Sequence, residues 1–242
     1  MKPRVSIVVP VYQEGPGIVR FLDRVFEAVT LPCEMLAVYD QPDDSTVPYL
    51  ETAAAREPRL RPLLNRYGRG PAAALRFGID EARSDVIVVT MADGSDDAHQ
   101  IDALTRLVER GVVVAAASRY MRGGQQVGGP WMKGAISRTA GLSLHLIGRV
   151  GTHDPTNSFK AYSRQFIQEV GVESDAGFTL GIELVAKAKE RGLPVAEIPT
   201  IWLDRAEGTS SFRVTKWLSR YLHWYLRALR PTRKRPRPRK LG

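Results

Sequence analysis

The stretch from Val86 to Asp97 constrains the fold of this chain more than any other. It begins as the β-branched run VIVVT and ends at once in the acidic turn MADGSDD. Such a run is typical of a buried strand at the centre of a parallel sheet. Ligands of open α/β sheets bind at the carboxyl ends of the strands, where Asp93, Asp96 and Asp97 would lie close together. Crowded carboxylates indicate a divalent metal that bridges a phosphate, and the alternative is a polar turn in which Asp97 caps the next helix.

Strand and helix patterns alternate through the first half of the chain. Apolar strand patterns cover residues 5–11, 34–39, 60–64, 86–91 and 112–118. Helical patterns with apolar residues on one face cover residues 18–28, 49–56, 72–82 and 97–110. This order predicts an α/β fold with a mostly parallel sheet and helices on both of its faces.

The pattern changes after Arg119. A glycine-rich loop over residues 123–130 precedes an amphipathic helix predicted over residues 132–150, whose apolar stripe is Ile136, Ala140, Leu144 and Ile147. Beyond it we expect a loop and strand over 154–162, a helix over 181–192, a strand over 195–203, a polar loop over 205–211 and a helix over 217–229. This half therefore adds elements around the sheet without continuing the regular alternation.

The basic charge of the chain is concentrated at its end. The formal net charge is +9, but residues 230–242 contain seven Lys or Arg and no acid, so the rest of the chain carries only +2. We expect this proline-interrupted tail to be disordered, and to bind membrane lipid or nucleic acid or to serve solubility alone. Basic and aromatic residues are not interleaved outside the tail, which argues against nucleic acid as a partner.

Several classes of protein are disfavoured by what the sequence lacks. The 242 residues suffice for one large α/β domain or two small ones, and the single cysteine, Cys33, allows no disulfide framework. No run reaches the roughly 18 apolar residues of a membrane span, and no signal-peptide pattern precedes the first strand. Neither the glycine fingerprint of nicotinamide-cofactor sites nor the P-loop of ATPases is present.

A second acidic loop follows the strand over residues 34–39. It begins with Asp40, which could hydrogen-bond a nucleobase and a ribose, while Asp93 could hold a metal on a diphosphate. Parallel strands bring both loops to one edge of the sheet. The pattern therefore favours nucleotide binding and leaves a purely structural role for the two turns open.

Eight segments resemble glycosyltransferase family 2, and they occur in the order of that family. They are VSIVVPVYQE (5–14), the Asp40 loop, residues 70–75, MADGSDD (91–97), ASRY (117–120), DPTNSFKAYSR (154–164), GFTLGIELVAKAKERG (177–192) and RAEGTSSF (205–212). Within the family the chain is most similar to the polyprenyl-phosphate (dolichol-phosphate) mannose synthases, over about residues 4–226. The resemblance implies a GT-A, Rossmann-like fold in a single domain over residues 1–229. Residues 1–120 would bind the nucleotide sugar, residues 121–229 would bind the acceptor and face a membrane, and 230–242 would remain a tail.

The resemblance also implies a donor site. Residues that match the family's nucleotide-sugar contacts are Pro10, Tyr12, Glu14, Asp40, Ala92, Asp93, Arg205, Ser210 and Arg213. The family's Asp-Ala-Asp metal motif reads Met91-Ala92-Asp93 here, so its first carboxylate is missing. Asp93 and Ser95 would hold Mg²⁺ or Mn²⁺, with Asp96 or Asp97 as substitute ligands or with diphosphate oxygens and water completing the shell.

The acceptor site implied by the resemblance lies later in the chain. Ser118 and Arg119 match one phosphate-binding motif, and Lys133 and Ser137 match another, four residues apart and so on one helix face. The resemblance implies that the catalytic residues are Arg119, Asp93 and Arg205. A lone Lys133 would ordinarily be a solvated surface charge, so its assignment depends on its partners.

The function implied is transfer of a hexose with inversion, most simply mannose from GDP-mannose, to a polyprenyl phosphate. The open alternatives are a UDP-sugar donor such as UDP-glucose, a non-lipid acceptor, or a module that only binds nucleotides or nucleic acid. The predicted helix over 217–229 carries an apolar face of Trp217, Leu218, Tyr221, Leu222, Tyr225 and Leu229 and precedes the basic tail. This pattern favours a peripheral protein on the cytoplasmic face of a membrane, and the alternative is a helix that packs on the core. Any membrane-spanning partner would be a separate chain.

Overall fold

Nine strands form two sheets in the computed structural model, which describes residues 2–129, 131–175, 177–204 and 214–232. The strands are β1 (Val5–Val11), β2 (Cys33–Tyr39), β3 (Leu60–Leu64), β4 (Val86–Val89), β5 (Val114–Ser118), β6 (Gln125–Val127), β7 (Lys160–Ser163), β8 (Val195–Pro199) and β9 (Ile201–Leu203). The large sheet has the order β3-β2-β1-β4-β7-β5-β8, and β6 pairs with β9 in a small second sheet. The predicted α/β fold with a mostly parallel sheet is confirmed.

Helices cover both faces of the large sheet, as predicted. They are α1 (Gly17–Ala28), α2 (Val47–Ala54), α3 (Pro71–Glu81), α4 (Ile101–Glu109), α5 (Trp131–Ser143), α6 (Arg164–Val170), α7 (Leu180–Glu190) and α8 (Val214–Leu229). Apolar residues of α1, α2 and α4 fill the core on one face of the sheet. Those of α3, α6, α7 and α8 fill the core on the other face.

Strand β7 is antiparallel to both of its neighbours, β4 and β5. Its first residue, Lys160, lies beside Val89 of β4 and Ala116 of β5. Because both neighbours run opposite to β7, β4 and β5 run parallel to each other and end at the same edge of the sheet. The loops after these two strands are therefore brought together by the topology.

Four details of the second half differ from the sequence prediction. The helix predicted over 132–150 is α5 followed by a π-helical turn at Leu144–Gly148, and its predicted apolar stripe is not buried as a unit. Leu144 is fully buried in the core, whereas Ile136 of α5 and Ile147 of the π-helical turn are exposed. The strand predicted over 195–203 is broken between β8 and β9. The glycine-rich loop contains β6, and α6 was not predicted.

Helix α8 packs against the core with one face. Trp224 and Ala228 are buried there, and Tyr221 and Tyr225 are partly buried against the same cluster. The two tyrosines of the predicted membrane face therefore turn toward the protein, as expected for a helix that packs on the core. Leu222 and Leu226 are exposed on the other side. No described helix is both long enough and apolar enough to cross a membrane.

Close packing of α3 on the sheet gives a testable prediction. A Cβ added at Gly78 would lie 2.5 Å from Val8 Cγ1 and 3.0 Å from Val38 Cγ2. We expect Gly78→Ala to lower the free energy of unfolding by about 1–3 kcal/mol, measured by urea denaturation, because the helix must shift away from β1. Gly17→Ala is the matched control, since a Cβ at that helical glycine meets nothing within 4 Å. Equal stability of the two variants would contradict the packing described.

Candidate functional site

The loops that follow β1, β2, β4 and β5 all lie at one edge of the large sheet. These four strands run in the same direction, so their carboxyl ends share that edge. The edge holds Tyr12 after β1, Asp40 after β2, Asp93 after β4 and Arg119 after β5. The convergence that the sequence analysis predicted is therefore present.

The loop after β1 is held in place by the loop after β2. The main-chain N–H of Gln13 donates to Asp44 Oδ2 at 2.9 Å, and that of Glu14 donates to Thr46 Oγ1 at 2.9 Å. Gln13 has a left-handed backbone with φ of 55°, which a non-glycine residue adopts only when its surroundings hold it there. Tyr12 is exposed beside this turn. A rigid turn with an exposed aromatic ring suits a planar ligand such as a nucleobase.

The Asp40 carboxylate has two partners within the protein. Its Oδ1 accepts from Asn65 Nδ2 at 2.8 Å and its Oδ2 accepts from the N–H of Gly70 at 2.6 Å. Gly70, with φ of 104°, is the residue from which α3 starts. Asp40 thus fixes the start of α3 beside the edge of the sheet. The expected contact of Asp40 with a nucleobase would have to be made in addition to these bonds.

In the acidic turn, Asp93 and Ser95 are bonded to each other. Asp93 Oδ1 accepts from Ser95 Oγ at 2.6 Å and from the Ser95 N–H at 3.1 Å. Ser95 is buried, and its carbonyl accepts from the N–H of Leu203, which ties the turn to β9. The hydroxyl therefore orients the Asp93 carboxylate at the partly exposed surface of the turn.

The other two acids of the turn have structural partners. Asp96 is buried and accepts from Thr90 Oγ1 at 2.8 Å and from the Met91 N–H. Burial raises the pKa of Asp96 to about 6 against the hydrogen bond from Thr90, and the charge of Asp93 adds to the rise. Asp97 accepts from the His99 N–H and caps a short 3₁₀ turn at Ala98–Gln100. The capping alternative for Asp97 is therefore present.

The donor atoms of the turn fit a hard divalent cation. Asp93 contributes a partly exposed carboxylate and Ser95 a hydroxyl, and both are oxygen ligands of the kind that Mg²⁺ and Mn²⁺ take. Met91 contributes none. Mg²⁺ commonly binds through one or two carboxylates together with substrate phosphates and water, so a single well-oriented carboxylate is sufficient.

Arg119 forms a buried, two-pronged ion pair with Asp154. Its Nε and Nη2 donate to the two carboxylate oxygens at 2.7 and 2.9 Å, and Asp154 is fully buried. Burial acts to raise the pKa of Asp154, but the charge and hydrogen bonds of Arg119 outweigh it, so this pKa lies below its usual value. Nη2 also approaches Ser137 Oγ of α5 at 3.4 Å. Arg119 and Ser137, which the sequence assigned to one phosphate site, do lie together.

Other residues of the expected acceptor and donor sites lie in β5, in α5 or outside the described part of the chain. Ser118 is fully buried at the end of β5, where its Oγ accepts from the Met121 N–H, so it lies beneath the surface. Lys133 lies in α5, one turn before Ser137. The other expected residues, Arg205, Ser210 and Arg213, fall outside the described part of the chain.

Lys160, the first residue of β7, is a fully buried lysine that the sequence analysis did not single out. Its Nζ donates to the main-chain carbonyls of Asp154, at 3.1 Å, and of Asn157. Burial lowers the pKa of Lys160 to about 7 against the opposing charge of Asp154. A lysine in the strand pattern FKAY, otherwise apolar, was the signal that could have indicated it.

Glu183 of α7 has a structural role. It is fully buried and accepts from Lys187 Nζ at 2.6 Å and from the N–H groups of Glu173 and Ser174. Asp154 had no partner assigned from sequence, because the 35 residues that separate it from Arg119 give no local signal.

The buried charge of Lys160 gives a pH-dependent prediction. The folded pKa of about 7 lies below the value of about 10.4 in an unfolded chain, so the unfolded state binds more protons between these two pH values. Lys160 therefore makes the free energy of unfolding rise with pH in this window, by up to about 1.4 kcal/mol per pH unit. Urea unfolding from pH 7.5 to 9.5 should show a flatter rise for Lys160→Met than for the wild type. Lys2→Met, at an exposed lysine, should keep the wild-type slope, and an unchanged slope in Lys160→Met would contradict the burial of a titrating charge.

Comparison with known proteins places the chain among glycosyltransferases. It is 27% identical to the polyprenol monophosphomannose synthase of Mycolicibacterium smegmatis, over 88% of this chain and 86% of that protein. It is also 27% identical to the dolichol-phosphate mannosyltransferase of Pyrococcus furiosus, over 94% of this chain but only 64% of that longer protein.

Solved structures support the same fold. Glucosyl-3-phosphoglycerate synthase of Mycobacterium tuberculosis, in complex with Mn²⁺, UDP and phosphoglyceric acid, matches with a TM-score of 0.69 at 16% identity, over 96% of this chain and 80% of that one. A mannosyltransferase of Pyrobaculum calidifontis, in complex with GDP-Man and Mn²⁺, matches with a TM-score of 0.65 at 19% identity, over 98% and 67%. These neighbours have the GT-A fold that the sequence predicted. The family model of glycosyl transferase family 2 matches residues 6–171, more than half of the chain, and the chain is a glycosyltransferase that belongs to this family.

Proposed function

We propose that the chain transfers mannose from GDP-mannose to a polyprenyl phosphate with inversion at the anomeric carbon. Two relatives whose names state a polyprenol or dolichol-phosphate mannose activity support this choice of donor and acceptor. The positions of Arg119, Ser137 and Asp93 at one edge of the sheet support the same choice on physical grounds, because both substrates carry phosphates that must come close together.

The acceptor part of the proposal depends on one observation, which is that α5 presents both a polar contact to Arg119 and exposed apolar side chains. Ser137 of this helix lies 3.4 Å from Arg119. The same helix exposes large apolar side chains, with Trp131 80% and Ile136 54% exposed, and the π-helical turn that follows exposes Ile147. A cationic phosphate site that opens beside unpaired apolar surface suits a phosphate carried on a long apolar chain.

The acceptor phosphate needs no general base. A phosphate monoester is largely ionised near neutral pH, so one of its oxygens attacks the anomeric carbon directly. The new carbon–oxygen bond forms on the face opposite the diphosphate, whose bond to the sugar breaks, and GDP leaves with the electron pair. Alignment and charge stabilisation then account for the rate, and the chain must supply cations close to the reacting atoms.

The charges near Arg119 suit this task. Asp154 holds the guanidinium in one orientation, which lowers the entropic cost of binding an anion. Arg119, Asp154 and Lys160 together carry a charge of +1 when Lys160 is protonated, so the pairing with Asp154 leaves a net attraction for phosphate. Lys133, one turn from Ser137 on α5, is proposed as a further contact, and Ser118 as support from beneath.

The donor is assigned to the loops after β1, β2 and β4. Pro10, Tyr12 and Glu14 would flank the nucleobase and ribose, with Asp40 beside them, and Ala92 and Asp93 would face the diphosphate. Mg²⁺ or Mn²⁺ held by Asp93, with Ser95 beside it, would offset the charge of the leaving diphosphate. Arg205, Ser210 and Arg213 are proposed as donor contacts on the strength of the family resemblance alone.

We further propose that the protein works on the cytoplasmic face of a membrane as a peripheral protein. About residues 1–120 would serve the donor, and about residues 121–229 would serve the acceptor and face the lipid. The exposed side chains of α5, the π-helical turn and α8 support this, since unpaired apolar surface is most stable against another apolar phase. The seven basic residues of 230–242 would add roughly 1 kcal/mol each at an anionic surface.

A transfer assay tests the proposal. The chain is incubated with Mn²⁺, polyprenyl phosphate in anionic vesicles and, in turn, GDP-mannose, GDP-glucose, UDP-glucose and UDP-galactose, and glycolipid is measured. We expect mannosyl lipid from GDP-mannose, at least ~10-fold more than from any other donor, and sedimentation of the protein with the vesicles. Asp93→Asn should lower product formation about 100-fold or more. Glucosyl lipid as the main product would assign the UDP-sugar alternative, and no glycolipid from any donor would reject the activity.

The role of Arg119 is tested by separating acceptor from donor effects. Arg119→Lys keeps the charge but loses the two-pronged bond to Asp154, and we expect kcat/KM for polyprenyl phosphate to fall about 100-fold while the Kd for GDP-mannose changes less than about threefold. The double variant Arg119→Met with Asp154→Asn removes both buried charges, so it tests the same role without leaving Asp154 unpaired. Arg122→Lys, at an exposed arginine three residues on, is the matched control and should behave as wild type. Loss of donor affinity with unchanged use of the acceptor would show that Arg119 serves the donor.

A further inference from the structure

Two histidines and one glutamate from three different elements lie close together. His145 belongs to the π-helical turn after α5, His153 to the loop before β7, and Glu197 to β8. One ligand atom from each lies within 4.8 Å of the other two, and the described part of the chain has no second such group of three His, Cys, Asp or Glu. Neither the proposed transfer reaction nor the family motifs quoted above use any of these side chains.

The second observation is a buried nitrogen with no partner. His145 Nδ1 is inaccessible to solvent and makes no hydrogen bond to any described residue. Leaving a buried polar atom unpaired is unfavourable, so such an atom calls for an explanation. A cation that accepts the lone pair of this nitrogen would remove the cost, and imidazole nitrogen is a preferred ligand of Zn²⁺.

Glu197 is already held in a position to act as a ligand. Its Oε2 accepts from the His153 N–H at 2.8 Å and from Thr152 Oγ1 at 3.0 Å, which fixes the carboxylate. Its Oε1 faces His153 Nδ1 at 2.5 Å. This oxygen can therefore exchange its contact with the imidazole for a bond to an ion without losing the bonds that orient it.

The two rings stack in the structure, with centroids 3.6 Å apart and planes 19° apart. A metal ion binds a histidine in the plane of its ring, so a shared ion requires the His145 ring to turn out of the stack. This movement breaks no hydrogen bond at His145 Nδ1, since that atom has none to a described residue.

We propose that His145, His153 and Glu197 form a binding site for a Zn²⁺-type divalent cation, separate from the oxygen ligands at Asp93. Two imidazoles and one carboxylate are a ligand set that Zn²⁺ takes with a fourth position for water, whereas Mg²⁺ prefers oxygen alone. Only these three ligands are assigned, and the fourth position stays open to water or another small ligand.

The site would join α5 to the loop that carries Asp154. A Cβ at Gly141 of α5 would lie 2.1 Å from the carbonyl oxygen of His153, so the helix already rests directly on that loop. An ion shared by His145 and His153 adds a bond across the same contact. It thereby restrains the residue next to Asp154, and through Asp154 the guanidinium of Arg119.

Zinc binding by the untagged, chelator-treated full-length chain tests the proposal. Zn²⁺ is titrated against a competing chromophoric chelator, and the metal content after gel filtration is measured by mass spectrometry. We expect about one tight equivalent per chain in the wild type and in Asp93→Asn, and at least ~10-fold weaker binding in His145→Ala and Glu197→Gln. The other two histidines of the chain are matched controls, so His99→Ala and His223→Ala should bind as the wild type does.

A thermal melt gives a second measurement. Zn²⁺ should raise the Tm of the wild type and of His99→Ala but not that of His145→Ala, because only a ligand of the folded state stabilises it. His145 is partly exposed in the π-helical turn, so its replacement is expected to leave a folded chain, which the melt verifies without metal. The proposal is overturned if the wild type retains no zinc, if His145→Ala binds zinc as tightly as the wild type, or if Asp93→Asn abolishes binding.

Discussion

The buried ion pair between Arg119 and Asp154 is the interaction on which the candidate site depends. Moving two charges out of water is costly, and this pair offsets the cost with two parallel hydrogen bonds at 2.7 and 2.9 Å. The surrounding loop completes the bonding, since the Asn157 N–H also donates to Asp154 and Lys160 holds the Asp154 carbonyl. Removing one partner would leave an uncompensated charge, at a cost of about 3–5 kcal/mol. The orientation of Arg119 is therefore fixed before any substrate arrives.

The sheet topology is what makes this pair available at the edge where the acidic turn lies. Strand β7 runs antiparallel between β4 and β5, so the chain that carries Asp154 and Lys160 enters the sheet between the two strands that deliver Asp93 and Arg119. The sequence predicted each strand from its apolar pattern, but no local pattern states the direction in which a strand will pair. For this reason the convergence of β1, β2 and β4 was predictable, whereas the central place of β7 was not.

The candidate site was predictable to a similar degree and for a similar reason. Residues at strand ends, such as Asp93 and Arg119, stand beside apolar runs that identify them. The residues that hold them come from distant segments, as Asp44 does for the Gln13 turn, and only the folded chain shows the contact. The apolar periodicity of α5 gave a wrong prediction of burial, because a periodic apolar stripe is ordinarily taken to face the core. Ile136 is exposed instead, and that failure marks surface whose apolar character needs another explanation.

The replacement of an expected carboxylate by Met91 is consistent with the electrostatics of the turn. Asp96 lies buried in this turn, and its Oδ2 accepts the N–H of Met91 itself. Burial already raises the pKa of Asp96 to about 6, and the charge of Asp93 adds to that rise. A further carboxylate at position 91 would add a like charge beside the buried one and would favour protonation of Asp96 still further. With an uncharged residue at 91, the turn keeps three acids that differ in burial and in partners: Asp93 is partly exposed and oriented by Ser95, Asp96 is buried and accepts from the backbone, and Asp97 caps the 3₁₀ turn. Asp93 is therefore the acid that we propose to face a cation.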